Sequence, residues 1–129
     1  MNAITWSAVL AVGAGGAIGC WLRWLLALGL NAIAPLLPMG TLVANLSGGF
    51  AMGLALGYIS RHPEWAPHWR LFVMTGFLGG LTTFSTFSGE SVILIHEGEF
   101  AWALGHIAIN LFGSIALCAL GYAVIRGPA

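Results

Sequence analysis

Residues 76–90 read GFLGGLTTFSTFSGE. The stretch packs four Gly, three Thr, two Ser, three Phe and one carboxylate between two apolar runs, and it decides what kind of helix can pass there. Gly76, Gly79 and Gly80 each weaken a helix by up to about 1 kcal/mol relative to Ala. Thr82, Thr83 and Thr86 are β-branched, and Ser and Thr hydroxyls compete for backbone hydrogen bonds. A helix over 71–95 is therefore expected to break near residues 79–82, about its first third. At membrane depth, broken backbone is tolerated only where protein or a cavity satisfies it. Its freed carbonyls can hold a cation, and an exposed helix N-terminus attracts an anion.

The rest of the chain shows that membrane depth is the right setting. Its 129 residues are 59% hydrophobic and 6% charged, with a mean hydropathy of +0.93. Soluble domains carry roughly 25% charged residues, so this chain cannot coat a globular surface with charge. It reads as an integral membrane protein. A helix needs about 20 apolar residues to cross a bilayer, and four such runs cover approximately 4–30, 40–60, 71–95 and 101–125. They are too long and too evenly apolar for β-barrel strands, which run to about ten residues of alternating polarity. The expectation is one all-α domain over 1–129 with four transmembrane helices, the third broken. Trp6, Trp21, Trp24, Trp65, Trp69 and Trp102 lie near predicted ends, as an interfacial belt requires.

Charge narrows the function classes. Four Arg balance four Glu, with no Lys or Asp, so there is no cation cluster for nucleic acid or a polybasic lipid surface. The opening MNAITWSAVL lacks the basic n-region of a cleaved signal peptide. Cys20 and Cys118 fall inside apolar runs and read as buried, unpaired small hydrophobes. Arg61, Arg70 and Arg126 fall on one side and Arg23 on the other. That weak positive-inside bias leans toward cytoplasmic termini and is compatible with insertion both ways up.

Two stripes sharpen the picture. In GTLVANLSGGFAMGLALGY (40–58), Thr41, Asn45, Gly49, Gly53 and Gly57 fall four apart on one helix face, nearly bare of side chains. Gly15 with Gly19, and Gly76 with Gly80, repeat the spacing that lets membrane helices approach closely. In the last span His106, Asn110 and Ser114 form a polar stripe, expensive to desolvate and so expected to face protein or water. Arg23 is close enough to a helix end to snorkel. Glu90, an intramembrane carboxylate, is a functional candidate. Phe84 and Phe87 share a face that Ser91 continues, and the positive ring edges, backed by hydroxyls and amides, suit a route for a small anion.

GTLVANLSGG together with TGFLGGLTTFSTFSGE resembles the signature of the Fluc (CrcB) fluoride channels, and GAIGCWLRW around Arg23 is similar to that family's first helix. The resemblance covers all four spans. It implies passive export of cytoplasmic fluoride that relieves its toxicity, by an antiparallel, dual-topology homodimer with two pores in the bacterial inner membrane. It implies that Asn45 donates its amide hydrogens to fluoride, that Phe84 and Phe87 meet the ion with ring edges, and that Thr83 and Ser114 add hydroxyls. Glu90 would shape the network at one pore end and Arg23 would sit at the pore mouth. His106 and Asn110 would continue the polar track, His106 bringing a group that titrates near about pH 6 to 7. Gly79 and Thr82 would offer backbone carbonyls from both subunits to a structural sodium ion.

Rival readings have less to stand on. A dual-topology, proton-coupled exporter of cationic compounds calls for a carboxylate deep in an early span, and spans one and two contain none. A purely packing subunit leaves Asn45, Phe84, Phe87 and Glu90 unexplained. An enzyme would require paired acid–base groups, a nucleophile–base set or metal-ligand spacing, and none appears.

Overall fold

The computed structural model describes residues 4–127. Its first helix, α1 (Trp6–Leu30), starts where Thr5 Oγ1 accepts the Ala8 N–H at 3.1 Å. The second, α2 (Met39–Arg61), follows Pro38, which has no side chain to cap with. Asn31, just past α1, substitutes: its Oδ1 accepts the Gly40 N–H at 2.7 Å. The end of one helix thus satisfies an orphan donor at the start of the next. The third span, Pro67–His96, is 30 residues long and comes in two pieces. These are α3 (67–81) and α4 (Phe84–His96). The last helix is α5 (Phe100–Arg126). Four segments are long and apolar enough to cross a membrane, as the sequence led us to expect.

The break falls at Thr82 and Thr83, both extended (φ −86°, ψ 156° and φ −150°, ψ 122°). It lies at mid-span rather than a third of the way in, because the helix begins earlier than the hydropathy run. Pro67 takes the first helical position, where its missing N–H and fixed φ cost nothing. Upstream of the break, Leu71–Leu78 winds as a π-helix, and the Gly79 N–H donates to Met74 O. The wider winding lies where α3 meets α1 backbone to backbone. A methyl on Gly76 would lie 2.7 Å from Val12 O, and one on Gly80 2.5 Å from Gly16 O. Methyls on Gly15 and Gly19 would collide with the Phe72 and Phe77 carbonyls.

The same device joins α2 to α5. Gly49 faces Ser114 O, Gly53 faces Cys118 O and Gly57 faces Ile125, while Gly121 from the other side meets Phe50 O. The bare face read from the 40–58 run is therefore a helix–helix contact. Ala44, Leu78 and Leu81 form the buried core beside the break. Leu42, Phe87 and Leu94 are buried as well, whereas many large apolar side chains, Trp6, Trp21 and Trp24 among them, are exposed, as a lipid-facing surface allows. Cys20 corrects an expectation: it is exposed, because Gly15 and Gly19 occupy the packed face of α1. Cys118 is half-buried, and both thiols are free.

Candidate ion pathway

The break exists because three side chains claim its backbone groups. Thr82 keeps its N–H on Leu78 O (3.0 Å) and adds its hydroxyl to the same oxygen (2.8 Å). The Thr83 N–H would close the next helical bond on Gly79 O, but it donates to Asn45 Oδ1 at 2.8 Å. Asn45 Nδ2 in return donates to Thr83 O at 3.1 Å. Since an N–H can only donate, Oδ1 must face it, and the amide orientation of Asn45 is fixed. The Thr83 hydroxyl then caps α4, accepting the Thr86 N–H at 3.1 Å. So the carbonyl end of α3 and the amide end of α4 face each other across two residues, held by an amide from α2.

A closed ring of polar side chains continues from Asn45. Its Nδ2 also donates to Asn110 Oδ1 at 3.0 Å, an approach permitted by the Gly49–Ser114 contact one turn along. Asn110 Nδ2 donates to His106 O (3.0 Å) and faces His106 Nδ1 (3.2 Å). The network therefore makes Nδ1 an acceptor and puts the proton of a neutral ring on Nε2. His106 Nε2 lies 3.3 Å from Glu90 Oε1. These two atoms, within contact distance of each other, are the buried side-chain atoms without an aligned hydrogen bond among the described residues. Glu90 Oε2 accepts from the Thr41 hydroxyl at 2.9 Å, which returns the ring to α2 one turn before Asn45. The His106 side chain is fully buried and that of Glu90 is 16% exposed.

Beside this ring lies a cavity of about 320 Å³, lined by Asn45, Thr83, Phe84, Phe87, Asn110 and Ser114 among others. The two Phe rings meet edge to face, centroids 5.5 Å apart. Phe87 is buried, with its centroid 5.5 Å from that of His106, whereas Phe84 is 75% exposed. Ser91 does continue the face, but its hydroxyl is committed to Phe87 O at 2.8 Å. Six of the expected pathway residues thus share one cavity. Glu90 and His106 stand behind it, and Arg23 lies elsewhere. The Arg23 Nε donates to Gly80 O at 3.0 Å, on the α1 side of the break. Thr41 was legible only as part of the bare α2 face, since nothing in its spacing says that it holds Glu90. Among the described residues no three His, Cys, Asp or Glu side chains gather as a metal site would require.

Comparison with known proteins decides the family. A family profile described as "CrcB-like protein, Camphor Resistance (CrcB)" matches residues 10–122. The chain belongs to the CrcB family. Among its CrcB relatives, a protein of Ralstonia pickettii (strain 12J) is 55% identical over 117 residues, covering 91% of this chain and 93% of that one. One from Pseudomonas putida (strain W619) is 54% identical over 115 residues, covering 89% and 91%. One from Pseudomonas syringae pv. maculicola is 51% identical over 113 residues, covering 88% and 89%. Each of the three is named "Fluoride-specific ion channel FluC". The CrcB match spans the break, the polar ring and the cavity alike.

Proposed function

We propose that the chain is a fluoride-selective channel of the bacterial inner membrane, letting cytoplasmic fluoride leave down its electrochemical gradient. The observation that carries this is the cavity beside the break, where hydroxyls, amides and aromatic edges converge without a lysine or arginine. Fluoride is small and strongly hydrated, so a pore must replace its water with closely placed donors, as other filters use carbonyls for cations. Thr83 and Ser114 offer hydroxyls, and Phe84 and Phe87 offer ring edges. Both Asn45 hydrogens are engaged by Thr83 O and Asn110 Oδ1. An arriving anion takes one of them by displacing Asn110 Oδ1, so Asn110 both positions the amide and competes for it. No fixed cation lines the cavity to concentrate chloride with fluoride. Passive flow involves no reaction step, so the reading is a channel and not an enzyme.

The working unit in this reading is an antiparallel homodimer inserted in both orientations, the second copy seating on the face that leaves Phe84 exposed. A structural sodium ion fits the break. Gly79 O has lost its helical donor to Asn45, and Thr82 is extended, so hard carbonyl oxygens are available where unwound backbone favours such an ion. The sodium would tie the two copies together without being transported.

The test is fluoride efflux from liposomes holding the purified protein, with chloride as control. Rapid fluoride loss with chloride retained, slowed by Phe84→Ile and by Asn45→Asp, is the expected result. Well-folded protein that loses no fluoride would overturn the reading.

A further inference from the structure

We infer that Arg23 is the clamp of the broken span, a positioning residue that acts through the Gly80 carbonyl rather than by drawing anions to a pore mouth. Its donor reaches across the α1–α3 contact to a residue 57 positions away, at 3.0 Å. It can do so because the backbones touch: a methyl on Gly80 would lie 2.5 Å from Gly16 O and 3.1 Å from Cys20 N. Arg23 stands one turn beyond Gly19 on the same face of α1, directly over the end of α3. A second guanidinium nitrogen lies 4.0 Å from Cys20 Sγ.

The carbonyls at the end of α3 show what the clamp does. A helix leaves its last four carbonyls without intrahelical donors, here those of residues 79–82. Thr82 takes Leu78 O with two bonds, and Arg23 takes Gly80 O. Gly79 O, between them, is left open because the Thr83 N–H goes to Asn45. Arg23 and Asn45 thus act on opposite sides of the same backbone. One fills a carbonyl from the α1 side, and the other strips a donor from the α2 side. The guanidinium also places positive charge at a helix C-terminus, where the dipole favours it, through a charge-assisted bond. That pairing compensates a charge held within a membrane span, which is otherwise costly. Arg23 is absent from the residues lining the cavity at Phe84 and Phe87, so it has no geometric claim on the anion there.

Donor position separates the clamp from a simple charge. The bonding atom is Nε, which corresponds to a carbon in lysine, so Arg23→Lys keeps the charge and loses the donor at that place. Citrulline, introduced at position 23 by peptide ligation, keeps the Nε–H and the shape and loses the charge. The experiment compares Arg23→Lys, Arg23→Gln and the citrulline protein with the unaltered full chain. It reads fluoride efflux from liposomes and amide exchange of the peptide covering residues 78–84. Lysine and glutamine are expected to speed exchange in that peptide alone and to slow efflux by about tenfold or more, the scale of a lost bond to a charged group. Citrulline is expected to restore both. Lysine restoring efflux where citrulline does not would overturn the clamp in favour of a charge at the pore mouth. Unchanged exchange in all three would overturn it outright. The efflux arm rests on the channel reading, whereas the exchange arm does not. A wild-type protein that fails to conduct therefore leaves the clamp testable, and an unfolded glutamine variant leaves the lysine–citrulline contrast intact.

Discussion

Asn45 is the residue that ties the break to the polar network. It accepts the Thr83 N–H, returns a bond to Thr83 O and holds Asn110. Removing it leaves a part-buried backbone N–H without its partner, a penalty of up to about 1–3 kcal/mol. Asn45→Ala should therefore lower the thermal midpoint in detergent as well as fluoride flux. Asn45→Asp is a different lesion: the carboxylate still accepts from Thr83 but confronts Thr83 O and Asn110 Oδ1 with no hydrogen to give. Its flux should fall below that of the alanine variant although its volume is conserved, and efflux of the two side by side checks the order. His106 carries a second prediction. Its Nδ1 serves as an acceptor for Asn110, a role that needs the neutral ring, while Glu90 is the ionisable group facing it from α4. Thr41 from α2 holds that carboxylate, and the uncharged Phe87 ring from α4 lies beside the imidazole. Protonating the ring turns Nδ1 into a donor against the Asn110 amide and disturbs the hold on Asn45. Flux should decline as pH falls through histidine's range, from about pH 8 to pH 5. His106→Ser should flatten that profile, and an unaltered profile in the serine variant would exclude the ring as its source.

The helices themselves are set by where glycine lets backbones meet. Gly76 and Gly80 on α3 interlock with α1, whereas Gly13 and Gly105 have nothing within 4 Å of an added methyl. Gly76→Val should separate α1 from α3, straighten the π-helical winding and abolish a cooperative thermal transition. Gly13→Ala and Gly105→Ala should keep or slightly raise the midpoint, since each removes a helix penalty of up to about 1 kcal/mol. A Gly76→Val protein as stable as wild type would mean that the close approach is dispensable. This contrast also marks how far the sequence can be read. Hydropathy located all four helices to within a few residues because lipid imposes length and polarity directly. The break was legible from Gly79, Gly80, Thr82 and Thr83, but its placement at mid-span was not, because PEWAPHWR reads as a polar loop until Pro67 is seen to open the helix. The winding of LFVMTGFL had no local signal; it arises where α3 presses on α1. For the candidate site, spacing put Thr41 with Asn45 on one face of α2 and His106, Asn110 and Ser114 on one face of α5, and Asn45 meets Asn110 between them. The partners across helices (Thr41 with Glu90, Arg23 with Gly80) depend on packing that no periodicity encodes.

At the scale of the whole molecule the arginines are few, and three of the four are tethered to backbone carbonyls. Arg61 donates to Arg126 O, Arg70 to Trp65 O and Pro63 O, and Arg23 to Gly80 O. Arg61 joins the end of α2 to that of α5, and His68 meets Ser7 at 2.8 Å, which places the start of α1, the end of α5 and the 62–66 turn on one side. The 97–99 turn lies on the other side, with Glu97 and Glu99 and no arginine. Three arginines against one, Arg23 two turns inside the end of α1, orient a chain weakly, because topology follows Lys and Arg near helix ends while carboxylates count for little. A dual-topology dimer needs that indecision, since both orientations must come from one sequence. Lysines added after residue 129 should drive the termini to the cytoplasm, and Glu97→Lys with Glu99→Lys should drive them outward. C-terminal reporter fusions read the orientation, and fluoride resistance of the cells reads assembly. Each biased protein alone should lose resistance for want of an oppositely inserted partner, and expressing the two together should restore it. If either biased protein alone sustains resistance, the active unit is not antiparallel, and the exposed face at Phe84 must be covered by a copy inserted the same way.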